Sequence, residues 1–555
     1  MRSTIFLSCL VLSLPVAAQV QVSGTAGVQG GLGNATPLDG EVRLDIAAPQ
    51  FSVSPYIGAS LLTRETEGIV EDHEFLYPAT GQSYTSHLEQ QSDGFGLRYG
   101  LSTTYRPMPT TTLTLCGEGL LRDEHVLATR LETLTPAPDD EDYTTPRSHI
   151  ESVIDDPTHR SQTLRGALSL HHVFSEFSGV LDADYQVSRV TFERERDIYG
   201  LDNYAFVPYI SNVHISDAAT THHTGTLRYT QSLADGHTVG MGLRAEMRRI
   251  HSSDLQVLNK QSVLDTTFRH NMYVAAAWGE YGYKHAAFDV NARLEYVFTR
   301  MRGRNLQDVV PSLRATYHLT RAHHLTFVYG LRLVRPDLAL LNPAQIRDAH
   351  TLSYGNQNLE GMHAHQASLA HAWRIPGVTL TTTAAHIWAD DGFNAIWMFR
   401  DGIRVYTWGN EGIRRAWSVT PDLTYKPSEA TTLRAKATLM WDKRIAEAIS
   451  MEKEHIGIDA SLCLEQQFSA AFKGDLHCSY AEGNTIDLYS HQSRQYAAGL
   501  QATCVIPAVP GLNLSLMADY VSHGHAVVTQ GAYIGIISTH PEHDYLLKAA
   551  LQYKF

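Results

Sequence analysis

The chain has 555 residues, a net charge of −14 at pH 7 and a mean hydropathy of −0.20. An acidic chain is poorly suited to nucleic acids, whose phosphates attract basic surfaces. After Ala18 no run of about 18 consecutive apolar residues occurs, so we predict no transmembrane helix. The chain is also long for one soluble domain of roughly 150 residues. A large β-barrel would explain both observations, because its apolar and polar positions alternate and cancel.

The first 18 residues have the features of a secretory signal peptide. Arg2 gives a positive start, residues 5–14 are apolar, and Val16, Ala17 and Ala18 are the small residues expected before a cleavage site. We therefore exclude residues 1–18 from the fold and expect the mature chain to begin near Gln19.

Segments with period-two alternation follow along the chain, and each predicts a half-buried β-strand. The first begins at Val20, and three strand candidates end by Thr63. Others have one apolar face and one charged or polar face, at residues 94–107, 286–298, 431–442 and 543–555. The last of them has an apolar face made of Tyr545, Leu547, Ala549, Leu551, Tyr553 and Phe555. We predict that this face contacts lipid and that Phe555 lies at the inner membrane–water interface.

Short and long connections alternate between the predicted strands. The short ones are residues 106–111, 175–178, 233–236, 282–285, 319–322, 375–377, 426–430 and 505–511. The long ones are residues 64–91, 126–160, 197–218, 337–359 and 523–541. This parity is typical of outer-membrane barrels, with short periplasmic turns and long extracellular loops.

The pattern therefore predicts an all-β protein. We count about 22 strands, an even number that places both termini on the periplasmic side. The expected organisation is a signal peptide over residues 1–18 and one transmembrane antiparallel β-barrel over residues 19–555, in the outer membrane of a Gram-negative cell.

Two predicted loops, residues 65–74 and 136–157, are rich in Asp and Glu. They fit a solvated surface beside anionic lipopolysaccharide, where divalent cations could bridge carboxylates. No EF-hand spacing is present, and we predict no cofactor.

The most specific sequence pattern lies in the second half of the chain. A strand ends in Arg335-Pro336, and the matching motifs that follow are residues 341–343, 355–359, 394–396, 401–402 and 410–412. This pattern resembles the β-barrel of TonB-dependent receptors, in the outer-membrane barrel family related to them. Two departures are Gln357, which replaces a proline, and residues 360–361. The resemblance implies a receptor or transport role.

One part of the family pattern is missing. Such receptors normally carry a plug domain before the barrel, whereas the strand pattern here begins at Val20 and leaves no room for one. A barrel of about 22 strands encloses a lumen too wide for its own side chains to fill. Three alternatives follow: long loops fold inward, a separate partner fills the lumen, or the channel is open.

Charged residues cluster on the predicted inward faces of neighbouring strands. The candidate ligand or lumen residues are Arg244, Arg248, Arg293, Glu295, Arg314, Arg332 and Arg335. They predict either a field that selects solutes or docks a partner, or a solvated wall in which charges simply pair. Arg332 and Arg335, near the mouth, are the candidates for direct contact with a ligand or partner.

Sites for metals and catalysis are poorly supported. His363 and His365 share a strand face, and His523 and His525 flank the last external loop, which makes them weak candidates for zinc or copper. Loop histidines without carboxylate or thiolate partners usually bind nothing, and the cysteine spacing fits no zinc motif, so we predict no metal site. We find no nucleophile elbow and no nucleophile–base pair, and predict that the protein is not an enzyme.

The sequence therefore predicts a receptor or channel through which a solute crosses the outer membrane. The alternative is an outer-membrane scaffold or assembly component that holds a protein partner in its lumen or on its loops. The expected partners are outer-membrane lipid, lipopolysaccharide and a separate plug-like or surface protein, and not nucleic acid.

Overall fold

A computed structural model describes residues 20–32, 38–62, 69–77, 82–135, 148–176, 178–202, 207–347, 351–390, 392–400, 403–410, 412–446, 451–483, 490–522, 525–530, 533–540 and 543–555. The predicted signal peptide, part of the acidic loop (136–147), residues 401–402, residue 411 and His523 lie outside the described residues.

Twenty-two antiparallel strands form one closed ring, which confirms the predicted fold. They are β1 (Gln21–Leu32), β2 (Leu38–Ala48), β3 (Phe51–Leu62), β5 (Gln82–Met108), β6 (Thr111–Thr135), β7 (Ser148–Phe174), β8 (Gly179–Asp202), β9 (Val207–Ser232), β10 (His237–Leu258), β11 (Gln261–Lys284), β12 (Phe288–Met301), β13 (Arg304–His318), β14 (His323–Val334), β17 (Met362–Ile375), β18 (Val378–Asp390), β21 (Ile413–Ser428), β22 (Thr431–Ala446), β23 (Met451–Ser469), β24 (Phe472–Glu482), β26 (Gln495–Val505), β27 (Leu512–Ser522) and β30 (His543–Lys554).

Eight shorter strands lie outside this ring. They are β4 (Ile69–Tyr77), β15 (Ile346–Arg347), β16 (Thr351–Ser353), β19 (Phe393–Arg400), β20 (Ile403–Asn410), β25 (Ser490–Gln492), β28 (Ala526–Gln530) and β29 (Tyr533–His540). The two short 3-10 turns are Ala234–Gly236 and Leu338–Leu341. The described chain contains no helix whose length and hydropathy would let it span a bilayer.

The ring closes between the first and last strands. β30 pairs with β27 on one edge and with β1 on the other. At the end of this seam, Gly24 N donates to Phe555 O at 2.9 Å, and Phe555 N donates to Gly24 O at 3.0 Å. Closure satisfies the backbone groups of both terminal strands, which an open sheet in lipid could not do.

The apolar face of each strand points away from the lumen. In β30, Tyr545, Leu547 and Phe555 are 69%, 54% and 50% exposed, and in β10 Met241 and Leu243 are 65% and 58% exposed. Side chains at the alternate positions, such as Arg244, lie on the lumen face. This is the arrangement expected for a wall with hydrocarbon outside and water inside.

The connections at one end of the barrel are all short. They are residues 49–50, 109–110, 175–178, 233–236, 285–287, 319–322, 376–377, 429–430, 470–471 and 506–511. Every predicted short connection lies at this end, and so do Gln21 and Phe555.

At the opposite end, three predicted loops were wrong in extent. Residues 64–91, 126–160 and 197–218 are largely strand, because β5 to β11 run for 22 to 27 residues each. About 9–11 residues are enough to cross the membrane. Beyond it both faces meet water, so the apolar alternation fades although the strand pairing continues.

The described part of the long connection between β14 and β17, residues 335–347 and 351–361, folds into the lumen. We call it the inward segment. It carries the turn Leu338–Leu341 and the strands β15 and β16, and β16 extends the β19–β20 hairpin into a four-stranded sheet. Inward folding of a loop was one of the three alternatives for the lumen.

Candidate functional site: the lumen wall and the inward segment

An apolar cluster seats the inward segment on the lumen face of β10, β11 and β12. Leu338, Leu341 and Leu359 are 2%, 0% and 2% exposed. They belong to one cluster with the inward-facing residues Ile250, Phe268, Met272, Val274, Ala276, Val297 and Met301. Burial of three leucine side chains contributes about 2 kcal/mol each relative to an exposed position.

Polar contacts fix the position of the segment. Asn342 Nδ2 donates to Ser252 Oγ at 3.2 Å and to Asp254 Oδ2 at 3.1 Å. Two residues further up β10, Gln256 Oε1 accepts a hydrogen bond from Arg347 N at 3.0 Å. The neighbouring strand contributes Asn212, whose Nδ2 donates to Arg347 O at 2.9 Å. The segment is therefore held by side chains of β9 and β10 rather than by strand pairing with the wall.

Asp254 is the charged group in this set, and it lies in the part of β10 above the membrane. Burial raises its pKa, but hydrogen bonds from His214, Asn342 and Ser216 together outweigh burial and hold the pKa below the usual carboxyl value. Ser216 Oγ donates to Asp254 Oδ1 at 2.9 Å. The ionised carboxylate is therefore the form that holds the inward segment.

This arrangement predicts that acid loosens the inward segment. A carboxyl with a depressed folded-state pKa stabilises the fold above its unfolded pKa of about 3.9, and that stability is lost as pH falls through the folded value. We expect protease sensitivity of residues 335–361 to rise below about pH 4. Asp254→Asn should remove most of this pH dependence, whereas Asp217→Asn, at an exposed site on β9, should keep it. Equal pH profiles for the wild type and Asp254→Asn would contradict the assignment.

A buried ion pair anchors the first residue of the inward segment to the barrel wall. Arg335 Nη2 contacts Asp308 Oδ2 at 2.6 Å and donates to Thr299 Oγ1 at 3.2 Å. The side chains of Arg335 and Asp308 are only 9% and 11% exposed. His363 Nε2 lies 2.8 Å from Asp308 Oδ1. Arg335 was predicted to contact a ligand, but in this structure its guanidinium is buried and joins the inward segment to β13.

Deeper in the lumen, charged residues form a paired network. Glu295, 9% exposed, contacts Arg244 at 2.9 Å and Arg293 at 2.5 Å. Arg293 also lies over the ring of Trp278, with 4.1 Å between its guanidinium carbon and the ring centroid. Arg248 pairs with Glu246, which His222 Nε2 approaches to 3.1 Å. These four predicted lumen residues, Arg244, Arg248, Arg293 and Glu295, therefore meet as pairs along the wall.

Arg314 and Arg332 differ from the other candidates. Both are exposed on the lumen faces of β13 and β14, and within the described residues neither makes an ion pair. An unpaired charge on a water-filled wall acts on passing ions more strongly than a neutralised pair does. Among the predicted lumen residues, these two arginines are the ones whose charge no ion pair neutralises within the described part of the chain.

The histidine candidates do not come together. His363 contacts Asp308, whereas His365 accepts or donates a hydrogen bond with the Tyr329 hydroxyl at 3.0 Å and stacks on Trp388. His525 is exposed, and its backbone N donates to Ser493 Oγ at 2.9 Å. Among the described residues, no group of three or more His, Cys, Asp or Glu is arranged to hold a metal ion. Cys116, Cys463, Cys478 and Cys504 are free thiols.

Several contacts of the site were not predicted from the sequence. Asp308, Asp254 and Asn342 fix the inward segment, although only Asn342 belongs to the motif in residues 341–343. Period-two alternation could have placed Asp308 and Asp254 on the lumen face. Which loop they meet depends on how residues 335–361 cross the barrel.

A closed 22-stranded wall with an apolar outside and a charged lumen defines a transmembrane β-barrel of the outer-membrane type. The family model for the outer membrane protein beta-barrel family matches residues 172–506, more than half of the chain. The chain therefore belongs to this family and is located in the Gram-negative outer membrane. The match includes the region in which the resemblance to TonB-dependent receptors was found. No curated protein matches the sequence.

Solved structures with the same fold are receptors and transporters. The copper transporter OprC is 9% identical, with a TM-score of 0.64 over 97% of this chain and 83% of that chain. The ferric yersiniabactin uptake receptor FyuA from Yersinia pestis is 12% identical, with a TM-score of 0.62 over 96% of this chain and 80% of that one. A mutant of the ferric enterobactin receptor PfeA from Pseudomonas aeruginosa is 11% identical, with a TM-score of 0.60 over 96% and 80%. At these identities the likeness shows a shared fold.

Proposed function

We propose that the protein passes a solute across the outer membrane, as a receptor or channel. The observation that carries this proposal is the inward segment, which is seated on the lumen wall by an apolar cluster and a small set of polar contacts. A wall built only to support a surface structure would not need a loop packed inside it. The similar structures named above are receptors and transporters, which supports transport rather than enzymatic activity.

We further propose that the inward segment does the work of a plug. Its three buried leucines and its ion pair with Asp308 hold it inside the lumen, where a plug would lie. The segment covers one side of the lumen from β9 to β14, and within its described residues it contacts side chains of the wall and does not pair with the wall strands. Release of those contacts would widen the passage through the lumen and leave the backbone hydrogen bonds between the barrel strands intact.

The unpaired arginines favour an anionic solute. Replacing both Arg314 and Arg332 by Gln should lower the anion-to-cation permeability ratio about 30-fold, because two unit charges roughly 8 Å from an ion in water stabilise an anion by about 1 kcal/mol and destabilise a cation by about as much. The reversal potential across a KCl gradient measures this ratio. The matched control replaces Arg249 and Arg269 by Gln, which removes the same charge from the outer surface and should leave the ratio unchanged.

Conductance in planar bilayers tests the proposed function. We expect steady channels, or channels that open when the inward segment is released. Permanent silence of both the wild type and a variant that lacks residues 337–359 would overturn the proposal. A folded barrel in both samples, confirmed by slower migration of the heated protein in gel electrophoresis, makes silence interpretable.

A free sheet edge favours a second candidate function, a scaffold that holds a protein partner. β11 pairs with β12 only from Met272 onward, so within the described residues Gln261–Asn271 pair with β10 alone. This edge is about 36 Å long and lies outside the membrane. It could accept an extended strand of a partner by β-augmentation. Co-purification of a protein in mild detergent, lost when proline replaces Thr266, together with silent bilayers, would favour this function.

A further inference from the structure

Four outward-facing arginines form a patch on the barrel exterior. Arg189 lies on β8, Arg249 on β10, Arg269 on β11 and Arg300 on β12, and all four are exposed. Register places Arg189 and Arg249 on either side of Thr221, and Arg249 directly opposite Asn271. We call this set the arginine patch.

The patch lies at the upper edge of the apolar band. On β10 the outward residues Val239, Met241 and Leu243 are 38%, 65% and 58% exposed, and Arg249 is the first charged outward residue after them. The same order holds on β12, where Leu294, 58% exposed, and Tyr296, 46% exposed, precede Arg300. This level is on the side of the long connections, so it corresponds to the headgroups of the outer leaflet.

The spacing suits one or two phosphate groups. Neighbouring strands are about 4.8 Å apart and a two-residue step is about 6.7 Å, so the Cβ atoms of Arg249 and Arg269 are roughly 8 Å apart. By the same estimate Arg249 and Arg300 are roughly 12 Å apart. An arginine side chain can bridge half of either distance. Two guanidinium groups can therefore meet on one phosphate between them.

The patch is not neutralised by the protein. Within the described residues none of its four members makes an ion pair. Arg249 Nε donates to Asn271 Oδ1 at 3.2 Å, and Arg269 Nε donates to His251 Nδ1 at 3.1 Å, so both are oriented by neutral groups. Their remaining donors are unoccupied by carboxylates.

The rest of the rim is different. On β5 and β6 the first charged outward residues after the apolar run are Asp93 and Asp123. On the far side, Arg415 contacts Asp390 at 2.7 Å, and Lys443 pairs with Glu452. Unpaired positive charge is thus concentrated on β8 to β12 in a chain with a net charge of −14.

We propose that the arginine patch binds the phosphate groups of a phosphorylated glycolipid of the outer leaflet, that is, of lipopolysaccharide. Arginine forms paired, charge-assisted hydrogen bonds with phosphate, and the depth of the patch places its guanidinium groups at the lipid headgroups. This binding site lies on the outside of the wall and does not depend on what passes through the lumen.

Binding of purified lipopolysaccharide to the full-length protein in detergent tests the proposal. The variant R189Q/R249Q/R269Q/R300Q should bind phosphorylated lipopolysaccharide at least about tenfold more weakly than the wild type. The control R415Q/K443Q removes outward charges that are already paired and should bind like the wild type. Lipopolysaccharide stripped of its phosphates should bind all three proteins equally weakly.

Four results would overturn the assignment. The first three are equal binding by the wild type and the four-arginine variant, equal loss in the R415Q/K443Q control, and equal affinity of the wild type for phosphatidylglycerol, which would show a general anionic-lipid surface. Millimolar inorganic phosphate should not displace the glycolipid, and displacement would show a site for free phosphate. If the four-arginine variant does not fold, the double variants R189Q/R249Q and R269Q/R300Q are used in its place, and each removes half of the patch.

Discussion

Asp308→Ala should open the lumen. The change leaves the Arg335 guanidinium, 9% exposed, without its carboxylate partner. Removal of one member of a buried ion pair costs about 3–5 kcal/mol, because the other charge stays buried and uncompensated. The inward segment can escape this cost by leaving the wall and exposing Arg335 to water. We therefore expect the open-to-closed ratio to rise on the order of 100-fold, since each 1.4 kcal/mol is a factor of ten.

Single-channel recording measures this ratio directly, as the fraction of time in the high-conductance state. The control Asp289→Ala removes a lumen carboxylate that is 39% exposed and contacts His318 at 3.2 Å. It should leave the ratio close to that of the wild type, because a half-exposed pair contributes little.

A second variant distinguishes the effect of losing the ion pair from the effect of a general disturbance of the barrel wall. The double change Asp308→Leu and Arg335→Met removes both charges and keeps similar volumes, which is often neutral for a buried pair. We expect it to restore the closed state. A double variant as open as Asp308→Ala, or an Asp308→Ala variant as closed as the wild type, would show that the pair does not hold the segment.

Gly24→Val should prevent closure of the barrel. A Cβ atom at Gly24 would lie 2.5 Å from Phe555 Cζ and 2.6 Å from the backbone oxygen of Arg43. The Phe555 side chain can rotate away, but the Arg43 oxygen belongs to the backbone of β2, which is paired with β1 and cannot move. The strain falls on the residue that exchanges two hydrogen bonds with Phe555 at the β1–β30 seam. Overpacking of this kind costs about 1–3 kcal/mol, so the ratio of folded to unfolded protein should fall about tenfold or more.

The same strand provides a matched control. A Cβ atom at Gly27 would meet nothing nearer than Leu551 O at 3.7 Å, an ordinary contact. Gly27→Val should therefore assemble like the wild type. The heat-dependent shift of the folded band in gel electrophoresis reports both variants, and equal folded fractions for them would contradict the role assigned to Gly24.

The fold could be predicted almost completely from the sequence. Alternation in segments such as 286–298 and 543–555 depends only on the two faces of a strand, and one face must meet hydrocarbon. The strand count of about 22 is even, which places both ends of the chain on the side of the short connections. The extent of β5 to β11 was underestimated, because strands that leave the membrane lose the apolar face that reveals them.

The candidate site was only partly predictable. Lumen residues such as Arg244 and Glu295 follow from alternation, because side chains at even spacing share a face and the charged face must be the wet one. Which of these charges are paired and which are free does not follow, since Arg314 and Arg332 look like Arg244 in the sequence. Pairing depends on the register between neighbouring strands, and that register is a property of the assembled sheet.

The sequence by itself determined a closed wall with lipid outside and charge inside, because each strand carries that information within about ten residues. Only the tertiary structure decided what lies within the wall. The contacts of Arg335 with Asp308 and of Asn342 with Asp254 join residues 27 and 88 positions apart. No local pattern specifies such contacts, because they form only after the ring has closed and residues 335–361 have found an apolar seat on the lumen face.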